Sequence, residues 1–276
     1  MTVVAMTREM GSLGSEVATA VARELGLTFI HSEIVANQVA GRLGVEESSV
    51  RRYVDGSASF MERWLINRRK LSRYTCEEIL RLAQRGNVLI RGWGAATVLR
   101  DVPQVISVRV CAPMDFRVRT MMKRMGTLDA GAVREEIERF DAAHRRAMHG
   151  SFDVEQEDAQ FYHLVLNTER LPVDACVRMV CDLAQHPRFA DQKKTRWALA
   201  DKLLEAAVHS ALGDQIGPNM APAGLRVVAV DGKITLAGTS TSGVLRSRAE
   251  RVAAKVAGVR AIDNRIVSVP PRGGAF

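Results

Sequence analysis

The chain has 276 residues, 47% of them hydrophobic and 25% charged, which suits one large domain or a large and a small one. No apolar run reaches the length of a membrane span, and the first twenty residues lack the basic start, apolar centre and cleavage site of a secretory signal, so a cytoplasmic protein is expected. The formal net charge is +8, which points towards an anionic partner.

In chain order, Val3, Val4, Ala5 and Met6 predict a short buried strand, and Val17, Val21 and Leu25 recur at helical spacing after it. Between them lies Arg8 to Glu16, R-E-M-G-S-L-G-S-E. A strand, a glycine-containing turn and a helix aim backbone N–H groups and the positive end of a helix dipole at one point, which suits a phosphate. The same order also serves as a plain connection in an α/β protein, and the pattern G-x-x-x-x-G-K-[ST] of a standard phosphate loop is not met. Thr28 to Ile30 is extended, and His31 to Arg42 predicts a helix ended by Gly44. Val45 to Tyr53 starts with an acidic first turn, and a long helical pattern runs from about Phe60 to Ala83.

Asn87 to Arg91, Val105 to Cys111 and His163 to Asn167 read as strands, continuous apolar runs of the kind covered on both faces. Helical patterns at Ala95 to Arg100, Met114 to Met125, Ala132 to Met148 and Val173 to Ala184 separate and follow them. Strands alternating with helices imply a parallel sheet flanked by helices, with ligands collecting at the carboxyl ends of the strands. Arg8 to Ser15, Arg91 to Gly94 and the segment after Cys111 then surround one crevice.

Residues 1–185 are therefore expected to form a large α/β domain and the polar stretch 186–196 a linker. Beyond it Trp197 to Leu212 is amphipathic and is stopped by Gly213. Leu225 to Val230 and Lys233 to Thr239 flank Asp231-Gly232, a strong hairpin signal. Thr241 or Ser242 can cap a helix on which Leu245, Ala249, Val252 and Val256 share a face, ended by Gly258, and Val259 to Val269 reads as a last strand. The small α+β domain, α-β-β-α-β over 197–270, precedes a tail at 271–276. From Leu225 onward nine basic residues stand against three acidic ones, so most of the positive excess lies here.

Cys76, Cys111, Cys176 and Cys181 sit in apolar segments with no metal-type pairing and are expected as buried reduced thiols. His144 and His149 are one residue too far apart to share a helical face as ligands, so no metal site on the protein is expected.

Five stretches in order, T-R-E-M-G-S-L-G-S-E, F-I-H-S-E-I-V, I-R-G-W-G-A-A-T-V-L-R, V-R-V-C-A-P-M-D-F-R-V-R and R-F-D-A-A-H-R-R followed by Y-H-L-V-L-N-T, resemble the cytidylate kinase-like family, relatives of the phosphate-loop (P-loop) nucleoside monophosphate kinases. L-R-V-V-A-V-D-G-K-I-T-L-A-G-T and A-E-R-V-A-A-K-V-A-G-V-R-A-I-D-N resemble a BON domain. The first resemblance implies a P-loop NTPase-like fold, a nucleotide partner, and phosphoryl transfer from ATP with Mg2+. It implies that Gly11, Ser12, Leu13, Gly14 and Ser15 wrap the donor phosphates, that Arg117, Arg119 and Arg124 face the nucleotide, and that Arg145 and Arg146 lie on a lid oriented by Asp141. Arg91 would hold the acceptor, with Trp93 and His31 beside it. Against a standard loop, Gly14 falls at the lysine position, Glu16 at that of the metal-binding hydroxyl, and Arg8, at the first glycine position, supplies the missing cation. The strand N-V-L-I-R also lacks the usual terminal aspartate. The second resemblance implies contact with anionic phospholipid, with a protein partner or with a second copy of the chain. A nucleotide-binding regulator that no longer catalyses, or a protein binding no nucleotide, also suits these departures.

Overall fold

The structure, a computed structural model of the chain, describes residues 1–55, 58, 66–92, 94–152, 158–190, 192–216, 223–240 and 242–269. It divides into two compact units, Met1–Arg196 and Trp197–Phe276. The first is built on strands β1 (Val3–Arg8), β2 (Thr28–Ile30), β3 (Val88–Arg91), β4 (Val105–Cys111) and β5 (Leu164–Asn167). All pair in parallel, in the order β2-β3-β1-β4-β5. The central β1 sets Met6 opposite Arg91 on one side and Arg8 opposite Val110 on the other. Val3 to Met6 and Val105 to Val110 are buried throughout, which is why these strands read as unbroken apolar runs.

The described helices of this unit are α1 (Gly14–Glu24), α2 (Ser32–Leu43), α3 (Glu47–Asp55), α4 (Arg68–Arg85), α5 (Ala95–Val98), α6 (Met114–Met125), α7 (Ala130–Phe152) and α8 (Val173–Gln185). Val17 and Val21 of α1, with Cys176, Val177 and Val180 of α8, form one core with Val4, Met6, Ile106, Val108, Val110 and Leu166 of the sheet. Helix α4 begins at Arg68 because Asn67 caps it, accepting from Lys70 N at 3.1 Å. The expected earlier part of that helix, with Trp64 and Leu65, lies outside the described residues. Asp129 Oδ1 accepts from Ala132 N at 2.9 Å, so α7 starts ahead of the expected Ala132.

Two expectations at 186–213 are corrected. Pro187–Phe189 form a 3₁₀ turn, and α9 (Gln192–Gln215) already begins inside the expected linker. Gly213 does not stop it. Leu212 and Ile216 are both buried, and Ile216 N bonds to Leu212 O, which outweighs the roughly 1 kcal/mol that glycine costs in a helix.

The second unit adds β6 (Ala223–Val230), β7 (Lys233–Ser240), α10 (Gly243–Ala254) and β8 (Ala261–Ser268). The sheet runs β6-β7-β8, antiparallel then parallel. Asp231 and Gly232 turn the hairpin with φ of 46° and 78°, the paired positive values that an Asp-Gly turn supplies. Val208, Leu212 and Ile216 of α9 and Ala249, Val252 and Ala253 of α10 pack on Val227, Ala229, Ile234, Leu236 and Ile266 of the sheet. Helix α10 ends at Ala254, before Gly258, and the Ser242 hydroxyl makes no cap bond; Thr241 lies outside the described residues. Cys76, Cys111, Cys176 and Cys181 are all free thiols. Among the described residues no helix is long and apolar enough to cross a membrane.

Candidate functional site

The turn after β1 is held by hydrogen bonds within itself, to β4 and to Thr168. Ser12 is fully buried, its Oγ 2.8 Å from Glu9 O and 3.2 Å from Val110 O, and its own carbonyl accepts from Thr168 Oγ1 at 2.7 Å. Gly11 has φ 77°, and a Cβ there would stand 2.7 Å from Arg117 O. Leu13 is also left-handed, φ 57°, a conformation that costs a leucine about 1–2 kcal/mol. The first helical bond runs from Val17 N to Leu13 O, so the amides of Leu13 to Glu16 are the orphan donors of the helix start.

Arg8 crosses this helix start. A Cβ on Gly14 would lie 2.6 Å from Arg8 Cβ, so the glycine at the lysine position provides the room that the arginine stem uses. The Arg8 guanidinium makes no hydrogen bond or ion pair to another described residue. Its pKa is lowered to about 10, first by burial and then by Arg91 and Arg124, with Glu16 and Glu33 opposing. Arg91, at the end of β3, donates from Nη1 to Ser15 Oγ at 3.0 Å and lies 5.3 Å from the Phe29 ring. His31 packs its ring 4.1 Å from the same phenylalanine. Arg124 reaches Glu16 Oε1 at 2.6 Å. Burial works against ionisation of Glu33, but its own backbone N–H and the charges of Arg91, His31 and Arg51 hold its pKa below the ordinary value. Three guanidinium groups and two carboxylates thus gather at one helix start, and one of the cations, Arg8, makes no hydrogen bond or ion pair among the described residues.

The other expected site residues fall elsewhere. Arg117 is buried, donating from Nε to Met10 O at 2.7 Å and pairing with Asp141 at 2.9 Å, so it grips the turn from behind. Arg119 is exposed and pairs with Glu169 at 3.3 Å. Arg145 and Arg146 are exposed on α7, and Trp93 lies outside the described residues. The residue that the sequence did not single out is Glu9. It accepts from Arg109 at 2.7 Å and from Ala112 N at 3.2 Å, and lies 3.7 Å from Arg117. A glutamate beside the glycine turn and an arginine in the apolar run of β4 were the signal, legible only once β1 and β4 are known to pair.

The register of the turn also corrects one alignment. Counting from Arg8, the final position of the G-x-x-x-x-G-K-[ST] pattern falls on Ser15 and not on Glu16. In standard loops that hydroxyl binds magnesium together with an acidic strand end. Here Ser15 Oγ already receives Arg91, β3 ends in that same arginine, and no group of three or more His, Cys, Asp and Glu side chains gathers among the described residues. These residues do not fit a magnesium ion held by the protein.

In the second unit, Arg246 and Arg248 donate to the carbonyls of Asn264 and Gln215, and Arg260 and Arg265 pair with Asp231 and Asp263. Arg226, Lys233, Arg251 and Lys255 are exposed.

Comparison with known proteins gives two family matches, the cytidylate kinase-like family over residues 3–170 and the BON domain over residues 200–270. The chain is 26% identical over 182 residues to a cytidylate kinase of Pyrobaculum aerophilum, covering 66% of this chain and 92% of that protein. It is 29% identical over 188 residues to a cytidylate kinase of Ignicoccus hospitalis, covering 65% and 97%. A crystal structure of an uncharacterised protein from Eubacterium ventriosum superposes with a TM-score of 0.53 at 18% identity, over 66% of this chain and 96% of the other, a likeness of fold.

Proposed function

The chain belongs to the cytidylate kinase-like family, and from that premise we propose that its first unit transfers the γ-phosphoryl group of ATP to the phosphate of a nucleoside monophosphate of the cytidylate type. The bond from the γ-phosphorus to the bridging oxygen of ADP breaks, and a bond to an acceptor phosphate oxygen forms. Such a transfer asks the protein for positioning and charge neutralisation more than for covalent chemistry. The observation that carries the reading is Arg8, a cation with no hydrogen bond or ion pair among the described residues, its stem against Gly14 at the start of α1 and its charge within reach of Arg91 and Arg124. In this reading Gly11 to Ser15 wrap the donor phosphates, Arg8 and Arg124 neutralise them, and Arg91 and His31 serve the acceptor side. Arg119, Arg145 and Arg146 close over the transferred group, while Arg117 and Asp141 act as positioning residues through Met10. The test is ADP formation in a coupled assay with ATP and CMP, dCMP or UMP. Turnover with a cytidine nucleotide supports the reading, and no ADP with any acceptor refutes it.

A second reading, a nucleotide-binding regulator that no longer catalyses, is favoured by the strained Leu13 and by the arginine in place of an acid at the end of β3. ATP-induced thermal stabilisation without ADP formation selects it. For the second unit we propose reversible contact with an anionic surface through Arg226, Lys233, Arg251 and Lys255, each worth about 1 kcal/mol near acidic lipid. Sedimentation with acidic but not neutral vesicles, lost at high salt, supports this; equal behaviour with both refutes it.

A further inference from the structure

We propose that the turn after β1 binds nucleotide polyphosphate without a metal bridge, guanidinium groups standing where other phosphate loops place magnesium. This rests on the phosphate-binding reading above and goes beyond it in naming the counter-charge. Arg91 Nη1 lies 3.0 Å from Ser15 Oγ, the hydroxyl that would coordinate the metal, so a divalent ion there meets a fixed positive charge. The strand end that would supply a carboxylate supplies this arginine. The two nearby carboxylates already have cations: Glu16 pairs with Arg124 at 2.6 Å, and Glu33 feels Arg91, His31 and Arg51. Both acids are thus already compensated by cations, whereas Arg8, though it feels Glu16 and Glu33, makes no hydrogen bond or ion pair among the described residues.

A triphosphate reverses these terms. It brings negative charge to three guanidinium groups, accepts hydrogen bonds from the amides of Leu13 to Glu16, and offers pairs of oxygens to the planar fork of Arg8. Metal-free ATP carries more negative charge than its magnesium complex, so it is the better ligand for such a site.

The experiment is calorimetric titration of the full chain with ATP, in EDTA and in magnesium chloride at matched ionic strength. The expected result is binding in EDTA at least as tight as in magnesium, up to several-fold tighter, and salt-sensitive in both. Arg91→Ala is expected to weaken binding by about tenfold or more in both buffers, with an unchanged circular dichroism spectrum verifying the fold. Ser15→Ala is expected to act alike in both. Binding at least about tenfold tighter with magnesium, or an Arg91→Ala effect confined to the magnesium buffer, overturns the metal-free inference and leaves the nucleotide reading standing. Absence of binding in both buffers overturns the nucleotide reading itself, and this inference with it.

Discussion

Replacing Arg8 with methionine should raise the stability of the free protein while weakening its hold on ATP. Arg8 makes no hydrogen bond or ion pair among the described residues, and burial, followed by repulsion from Arg91 and Arg124 and only partly offset by Glu16 and Glu33, lowers its pKa to about 10. At about 1.4 kcal/mol per pKa unit, keeping this group charged costs the fold about 3 kcal/mol. Arg8 is half-buried, and screening by the water that reaches it reduces the cost to about 1–2 kcal/mol. Methionine retains the stem that packs over Gly14 and removes the charge. At about 2–4 °C per kcal/mol for a unit of this size, the free variant should melt roughly 2–8 °C higher than the parent. The lost charge-assisted bond to phosphate is worth about 1.5–3 kcal/mol, so ATP affinity should fall by roughly 10- to 100-fold. Thermal denaturation with and without ATP reads both effects. A variant that melts lower than the parent, yet keeps the full ATP-induced rise, would refute the assignment of Arg8 as the unpaired cation of an anion site.

Gly11→Ala should destabilise by about 2–3 kcal/mol, because φ is 77° and the new Cβ meets Arg117 O at 2.7 Å, whereas Leu13→Gly should be neutral or stabilising by up to about 1 kcal/mol; urea midpoints compare the two. Glu9→Ala removes the carboxylate to which Arg109 and the Ala112 N–H donate and should cost about 1–3 kcal/mol in the same measurement. His163 Nδ1 accepts from Ser107 N at 3.1 Å, and burial, with Arg188 nearby, lowers its pKa, so the folded state favours the neutral ring. Its contribution is whole above the unfolded value near 6.5 and is lost as the pH falls below it. Comparing urea midpoints at about pH 7.5 and about pH 5.5 should show a smaller loss in His163→Asn, whose amide oxygen can still accept from Ser107 without titrating; an equal loss in both proteins contradicts this role.

Most of the architecture was legible because buried parallel strands announce themselves. V-I-S-V-R-V-C gave β4 from Val105 to Cys111, and D-G gave the hairpin at Asp231. What failed were endings decided by packing. Gly213 looks like a helix stop, but the helix passes through it because Leu212 and Ile216 find the core of the second unit. At the site, the glycines and the displaced cation Arg8 follow from local sequence. Arg117 does not: spacing cannot tell an arginine that faces a ligand from one that grips the Met10 carbonyl. Glu9 was invisible for a similar reason, since its partner Arg109 is 100 residues away and adjacent only through the pairing of β1 with β4.

The most direct test is a crystal structure of the chain grown with ATP and no added metal. Phosphate oxygens within hydrogen-bond distance of the Leu13 to Glu16 amides and of the Arg8 guanidinium are the predicted result. ATP bound away from the turn, with no phosphate oxygen at Arg8, would contradict the account.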